Sequence, residues 1–270
     1  RRSMLDKVEG AFQPAEYQRS GITRSLLNTV GDWLTEQALK DGDVENIVYG
    51  CCERLQAIGI PLIRGYFVFP VLHPLHSAIG ITWERGSGSK AADYPHVPGG
   101  ISDSFKKSPH YYMIERDLAF MRIWMDSAHR QYSFPVLPDL RAKGVTDYLA
   151  FVVNLGRETA FRSGGRSGML GSWATDDPAG FSEADIDSLL KIQDRLAVAC
   201  KMAIKSQLMR NIAKTYLGRS AGKRVLSGQI KRGDGQSIKA AIWYADLRNS
   251  TAMADTLPRQ DYIDTLNAYF

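Results

Sequence analysis

The chain has 270 residues, of which 44% are hydrophobic and 23% are charged, and its formal net charge is +5. These values are typical of a globular protein of one or two domains. The sequence has neither an uncharged apolar run of about 18 residues nor the apolar segment of a signal peptide. Its basic residues are spread along the chain instead of forming a stripe with aromatic residues. We therefore expect a cytoplasmic protein with no membrane and no nucleic-acid partner.

The first part of the chain predicts two helices and a hairpin. After an N-terminal extension over residues 1–22, apolar residues recur at helical spacing over 23–58, with a break at 41–43. Patterns typical of strands follow over 62–72 and 78–85. We expect the helices to pack one face each and the strands to pair antiparallel.

The middle of the chain predicts a loop, then mixed elements and a second hairpin. Residues 86–100 are rich in Gly, Ser and Pro and predict a mobile loop. The elements after it are a strand or short helix over 111–125, a short helix over 139–143, and strands over 148–155 and 168–174 across a Gly-rich turn at 163–165.

A long helix is predicted after residue 181. Ser182 is a suitable N-cap, Asp185 has the capping-box spacing, and Phe181 can pack on the first turn. Apolar residues then continue to about Tyr216, so the helix would span roughly 50 Å. The apolar positions are Ile186, Leu189, Leu196, Cys200, Ala203, Leu208 and Ile212. They fit either a terminal helix that packs on the core or a parallel dimer helix that conveys a signal.

The order of elements over residues 23–180 resembles a GAF domain, a small-molecule sensor. The resemblance implies an α+β fold in which helices flank an antiparallel sheet. It also implies a ligand pocket between the sheet and the loop over 86–109. The aromatic and histidine candidates for its lining are Trp83, Tyr111, Tyr112, Trp124, His129 and Trp173. Each aromatic side chain also fits an ordinary core or rim position.

Cysteine and histidine residues in this region leave alternatives open. Cys51, Cys52 and Cys200 have no metal-ligand spacing, and they fit either buried thiols or, for one of them, a covalent chromophore. His73 and His76 flank a proline and fit either a surface turn or a metal or haem site.

Near the C-terminus, the apolar segment IKAAIWYA at residues 238–245 predicts a buried strand that ends at Asp246. Polar residues follow over 247–251 and predict a strand-to-helix turn. A carboxylate beside backbone N–H groups suits a divalent cation that carries a polyphosphate. The alternative is that Asp246 only caps the next helix.

Residues 216–270 resemble the opening of a class III adenylate/guanylate cyclase catalytic domain. In this comparison, residues 181–235 are the signalling helix and linker, and 236–270 supply the first strand and helix of a ferredoxin-like domain. The resemblance implies that Asp246 and the Leu247 carbonyl bind metal, with Mg²⁺ or Mn²⁺ present as two ions. It also implies phosphate contacts from Asn249, Ser250 and Thr251.

The implied reaction converts ATP to cyclic AMP and pyrophosphate at the interface of a homodimer. One metal ion lowers the pKa of the attacking hydroxyl, and the other neutralises charge on the leaving pyrophosphate. The second metal aspartate of that family lies beyond Phe270, so we expect the chain to be an inactive piece of a sensor-regulated enzyme. Two alternatives remain: a sensor and dimerisation module without catalysis, and a free-standing ligand-binding protein.

Overall fold

The computed structural model describes residues 14–40, 42–73, 75–125, 132–155, 168–231, 233–235, 237, 239 and 241–269. The chain divides into two compact units, Arg1–Leu226 and Ser227–Phe270, here called unit 1 and unit 2. Among the described helices, none is both long enough and apolar enough to cross a membrane.

Unit 1 is built on an antiparallel sheet that has six strands within the described residues. The strands are β1 (Arg64–Pro70), β2 (His76–Glu84), β3 (Gly88–Pro95), β4 (Phe120–Trp124), β5 (Asp147–Asn154) and β6 (Gly168–Thr175). Their order across the sheet is β3-β2-β1-β6-β5-β4, and all neighbours are antiparallel. Both predicted hairpins, β1 with β2 and β5 with β6, are confirmed. The predicted turn at 163–165 lies outside the described residues.

Helices cover both faces of this sheet. They are α1 (Pro14–Leu39), α2 (Val44–Ala57), α3 (Asp103–Lys106), α4 (Pro109–Arg116), α5 (Val136–Ala142) and α6 (Glu183–Leu226). Alternate residues of β5 point to opposite faces. Leu149 and Phe151 join a core with α1, α2 and α6, whereas Tyr148 and Ala150 join a second core with α4 and α5. The predicted α+β class, with helices flanking an antiparallel sheet and a long helix at its end, is confirmed.

The larger core is centred on aromatic side chains. The ring centroids of Phe67 and Trp173 are 4.8 Å apart in an edge-to-face arrangement. Trp83 is fully buried, and its indole N–H donates to Glu53 Oε1 over 2.9 Å. Cross-strand neighbours Phe151 and Gly171 fit closely, because a Cβ at position 171 would lie 2.3 Å from Phe151 Cζ.

All three cysteines lie in the larger core. Cys51 and Cys52 belong to α2, Cys200 belongs to α6, and all three are buried free thiols. Burial raises the pKa of Cys51 to about 12 and also raises the pKa of Cys52 and of Cys200. A buried neutral thiol is chemically inert, so the interpretation of these residues as buried thiols is confirmed.

The start of α6 has the predicted capping box. The backbone N–H of Asp185 donates to Ser182 Oγ over 3.1 Å, and the backbone N–H of Ser182 donates to Asp185 Oδ2 over 2.9 Å. Phe181 is buried beside this turn. The helix is interrupted at Gly218, whose φ of 76° and ψ of 169° are not helical, close to the predicted end at Tyr216.

The apolar residues of α6 form two sets, one buried and one exposed. Ile186, Leu189, Leu196, Cys200 and Ala203 of the predicted set are buried in the core of unit 1. A second set lies on the surface: Val198, Met202, Met209, Ile212 and Tyr216 are 45% to 82% exposed. The first half of the helix therefore packs on its own domain, as one of the two sequence interpretations predicted.

For the middle of unit 1, one prediction was inaccurate and one open alternative is resolved. Residues 86–100 were expected to form a loop, but β3 occupies most of this segment and pairs with β2. It is an exposed edge strand held by backbone hydrogen bonds, so its side chains carry no apolar alternation. Residues 111–125 contain both alternatives, because Asp117 ends α4 in a left-handed conformation before β4 begins.

In unit 2, the predicted buried strand over 238–245 is wrong. None of the described residues from 237 to 247 lies in a strand, and Ile242, Trp243 and Tyr244 are 87% to 96% exposed. A strand needs a partner for its backbone groups, and the described part of this unit otherwise contains α7 (Ser250–Thr256) and α8 (Arg259–Tyr269). The helix predicted after the turn is confirmed as α7.

Candidate functional site

A groove of about 480 Å³ lies beside α4 in unit 1. We call it the α4 groove. Its lining residues come from the turn before α4, from one face of that helix, and from the segment before α5: Lys106, Lys107, Ser108, Tyr111, Tyr112, Glu115, Arg116, Ser133, Phe134 and Pro135. Its volume falls in the range of small-molecule sites.

Local sequence signals fix the helix that forms one wall of the groove. Ser108 is the N-cap of α4, and its Oγ accepts a hydrogen bond from the backbone N–H of Tyr111 over 3.2 Å. Pro109 occupies the first turn, where its missing N–H is not needed. These two residues set the start of the helix and so direct Tyr111 and Tyr112 toward the groove.

Tyr111, Tyr112 and Phe134 supply aromatic surface to one side of the α4 groove, and Tyr132 packs against two of them from outside the lining. Tyr112 contacts Phe134 edge to face at 5.7 Å and Tyr132 at 5.6 Å between ring centroids. Tyr132 and Phe134 are themselves stacked with an interplanar angle of 15°. Tyr111 is held by Phe105 at 5.9 Å. The result is a packed cluster of partly exposed aromatic rings, here called the aromatic wall.

Positive charge surrounds this wall. The Arg116 guanidinium lies 3.8 Å from the Tyr112 ring centroid, in a cation–π contact. Lys106 forms a solvent-exposed ion pair with Asp103, whose N–O distance is 3.1 Å. Within the described part of the chain, the Lys107 ammonium has no ion-pair partner. Glu115 is the acidic residue in the lining, so the groove carries a net positive charge.

The pocket residues predicted from sequence do not lie together. Tyr111 and Tyr112 line the α4 groove, whereas Trp83 and Trp173 belong to the larger core. Trp124 stacks with Arg122, whose guanidinium is 4.3 Å from the ring centroid. His129 lies outside the described residues.

Sequence reasoning missed the basic lining and Phe134. The sequence did contain a signal for the basic lining. Ser108 followed by Pro109 predicts the start of a helix, which places Tyr111 and Tyr112 in its first turns. Lys106 and Lys107 directly precede that start.

A buried histidine connects α4 to the sheet. His110 Nε2 lies 2.8 Å from the carbonyl oxygen of Gly171, so Nε2 carries the proton that is donated. Burial lowers the pKa of His110. The helix that walls the groove is thereby bonded directly to β6 in the middle of the sheet.

An ion pair connects the sheet to the start of α6. Asp147 is fully buried and accepts from Arg122 Nη2 at 2.8 Å, from Arg122 Nε at 3.0 Å and from the backbone N–H of Phe181 at 2.9 Å. Arg122 also donates to the Phe181 carbonyl and to Glu183, at 2.6 Å and 3.1 Å. This pair fixes where α6 leaves the sheet.

The histidine pair lines a smaller groove of about 260 Å³ between the end of the sheet and α6. The rings of His73 and His76 are stacked at 4.7 Å, and His76 Nε2 is 3.9 Å from Asp93 Oδ2. No group of three His, Cys, Asp or Glu side chains suited to a metal ion occurs among the described residues.

In unit 2, the predicted metal and phosphate residues lie just before α7 and in its first turn. Asp246 is exposed, and Leu247 accepts a hydrogen bond at its carbonyl from the backbone N–H of Ser250 over 3.2 Å. Asn249 has a positive φ of 61° and precedes Ser250 and Thr251 in the first turn of α7. Asp246 supplies one accessible carboxylate next to a helix start.

Comparisons with known proteins give distant structural matches. No protein-family model matches the chain, and no curated protein matches it. The solved structure of a GAF domain from a Bacillus halodurans two-component sensor histidine kinase is 14% identical, with a TM-score of 0.41, over 59% of this chain and 94% of that one.

Two bilin-bound GAF domains from cyanobacterial phytochromes also match. The phycoerythrobilin-bound domain is 12% identical, with a TM-score of 0.44, over 68% of this chain and 99% of that one. The phycocyanobilin-bound domain is 14% identical, with a TM-score of 0.43, over 66% of this chain and 94% of that one. At these scores, the matches establish neither a family nor a ligand for this chain.

Proposed function

We propose that the chain is the GAF-like sensory and signalling region of a class III nucleotide cyclase, specifically an adenylate cyclase that acts in the cytoplasm. The complete enzyme converts ATP to cyclic AMP and pyrophosphate in a homodimer. Unit 1 binds a small molecule, α6 conveys its effect, and unit 2 begins the catalytic domain. The proposal rests on the sequence resemblance of residues 216–270 and on the architecture of α6.

The observation that carries the signalling role is the exposed apolar stripe on α6. Val198, Met202, Met209, Ile212 and Tyr216 are separated by four, seven, three and four residues, which matches the a and d positions of a heptad repeat. A second helix that covers these exposed apolar side chains would stabilise the pair, because apolar surface is removed from water. The same helix is packed on the sensor sheet at its first half, so a rearrangement there would reach the paired segment.

The catalytic role rests on the surroundings of Asp246. This carboxylate and the Leu247 carbonyl would hold Mg²⁺ or Mn²⁺, and the turn of Asn249, Ser250 and Thr251 would face the phosphates. A bound metal ion would supply charge neutralisation at the triphosphate. The exposed Ile242, Trp243 and Tyr244 offer an apolar surface, and their backbone groups form no hydrogen bond with the described residues. Further strands of a catalytic sheet would cover both.

The test is production of cyclic AMP and cyclic GMP from ATP and GTP with Mg²⁺ or Mn²⁺, measured for the complete gene product and for this chain. We expect activity in the gene product and none in this chain. In the gene product, Asp246→Ala should lower kcat at least 100-fold, because a metal ligand is lost. Asp255→Ala removes an exposed carboxylate of α7 and should leave the activity unchanged.

An inactive gene product would refute the cyclase proposal. It would favour the alternative of a sensor and dimerisation module, in which α6 pairs two sensor domains without chemistry. An active enzyme that is insensitive to Asp246→Ala would refute the metal-binding role of this residue.

A further inference from the structure

We propose that the α4 groove binds a planar aromatic anion of one or two fused rings that carries a carboxylate or phosphate group. This inference deepens the proposed sensor function, since it assigns the chemical class of the sensed ligand. It rests on the aromatic wall and the basic residues that meet at one groove.

The aromatic wall selects a flat, apolar ring. Tyr112 and Phe134 line the groove and pack against each other and against Tyr132, with centroid distances of 5.6 to 5.7 Å, so the wall is already packed without a ligand. Aromatic rings of a ligand stack on such surfaces or meet them edge to face. A preformed wall loses little conformational entropy when the ligand binds.

The charges select an anion over a neutral or cationic ring. Lys107 has no ion-pair partner among the described residues, and Arg116 is held over Tyr112 rather than by a carboxylate. Lys106 shares its charge with the exposed Asp103, and Glu115 is the opposing charge in the lining. The N-terminus of α4 points its positive dipole end in the direction of the same basic turn.

The size and lining of the groove limit the ligand further. About 480 Å³ accommodates one or two fused rings with an acidic group. None of the three cysteines lines the groove, because all three are buried in the larger core. The ligand is therefore held without a bond to cysteine.

The test is isothermal titration of this chain with two matched pairs of probes. Indole-3-acetate is compared with neutral indole-3-acetamide, and 1-naphthyl phosphate is compared with neutral 1-naphthol. We expect at least one anion to bind at least tenfold more tightly than its neutral partner. The pair that shows the difference identifies the acidic group as a carboxylate or a phosphate.

Two variants locate the binding. Lys107→Glu should weaken anion binding at least tenfold, and Tyr111→Ala should weaken both members of a pair. Lys90→Glu makes the same charge change at an exposed residue of β3 outside the groove and should leave binding unchanged. Circular dichroism of each variant checks that the domain is folded.

The proposal is overturned if no anion binds saturably, if the neutral partners bind equally well, or if Lys90→Glu weakens binding as much as Lys107→Glu. These outcomes are separate from the cyclase assay. Loss of cyclase activity in Asp246→Ala tests unit 2, whereas the titrations test unit 1 alone.

Discussion

At the scale of single residues, the buried pair of Arg122 and Asp147 is a strong determinant of stability. Asp147→Asn would leave the Arg122 guanidinium, which is 20% exposed, without its main counter-charge. Breaking a buried pair in this way typically costs about 3–5 kcal/mol. We expect a loss of about 3 kcal/mol in the free energy of unfolding, measured by urea denaturation.

The control for this prediction is Asp176→Asn. Asp176 pairs with Arg85, and both side chains are about one-third exposed. Water and salt screen such a pair, so the expected loss is under about 1 kcal/mol. Equal losses in the two variants would show that burial of Asp147 does not strengthen its contribution.

His110 predicts a pH dependence of stability. Its pKa is lowered in the folded state by burial, so the unfolded chain binds more protons just below pH 6.5. The stability that neutral His110 contributes is therefore fully present above the pKa of histidine in the unfolded chain. Stability falls as the pH drops from about 6.5 toward the folded pKa. The slope for one group is at most about 1.4 kcal/mol per pH unit.

Urea denaturation across pH 5 to 8 measures this slope in the native chain, in His110→Gln and in His96→Gln. His96 also bonds a backbone carbonyl through Nε2, at 2.8 Å, but it is exposed. We expect His110→Gln to flatten the profile and His96→Gln to leave it unchanged. The prediction fails if the slope persists without His110.

At the scale of elements, the exposed apolar stripe on α6 predicts that the chain dimerises. Met209→Glu places a charge in the exposed apolar stripe and should weaken dimerisation of this chain at least tenfold, as measured by sedimentation equilibrium. Asn211→Glu adds the same charge to an exposed position off the stripe and should have little effect. A native chain that stays monomeric at high concentration would remove the support for helix pairing.

The elements also show what the sequence could predict. Strands β1, β2, β5 and β6 were predicted because alternating or continuous apolar residues reflect burial on one or both faces. Strand β3 was missed because an exposed edge strand is held by its backbone, which leaves no signal in its side chains. The apolar segment 238–245 was misread because an apolar pattern reports a tendency to be buried, and not whether a partner is present.

The candidate site was predictable only in part, for a related reason. Tyr111 and Tyr112 were predicted to line a pocket because they are aromatic and lie near a loop. Trp83 and Trp173 were predicted on the same grounds, but they lie in the core. Whether an aromatic side chain faces a groove or a core depends on which side of the sheet its element packs. Composition does not contain that information, whereas the cap at Ser108 contains some of it.

At the scale of the whole of unit 1, one sheet separates the α4 groove from the larger core that holds α6. His110 on α4 is bonded to Gly171 of β6, and all eight residues of β6 are buried between the two layers of helices. Arg122 and Asp147 join the other strands to the start of α6. Hydrogen bonds and strand pairing thus connect the α4 groove to the start of α6 within unit 1, as the proposed signalling role requires.

The burial of all three cysteines leaves the surface of the molecule free of thiols. A cysteine introduced at any exposed position would therefore be the single accessible attachment point for a fluorophore or spin label. The native cysteines would not need to be replaced first, so the packing between α2 and α6 would stay intact. Distances along α6 could therefore be measured between labelled cysteines in the otherwise native chain while ligands are added.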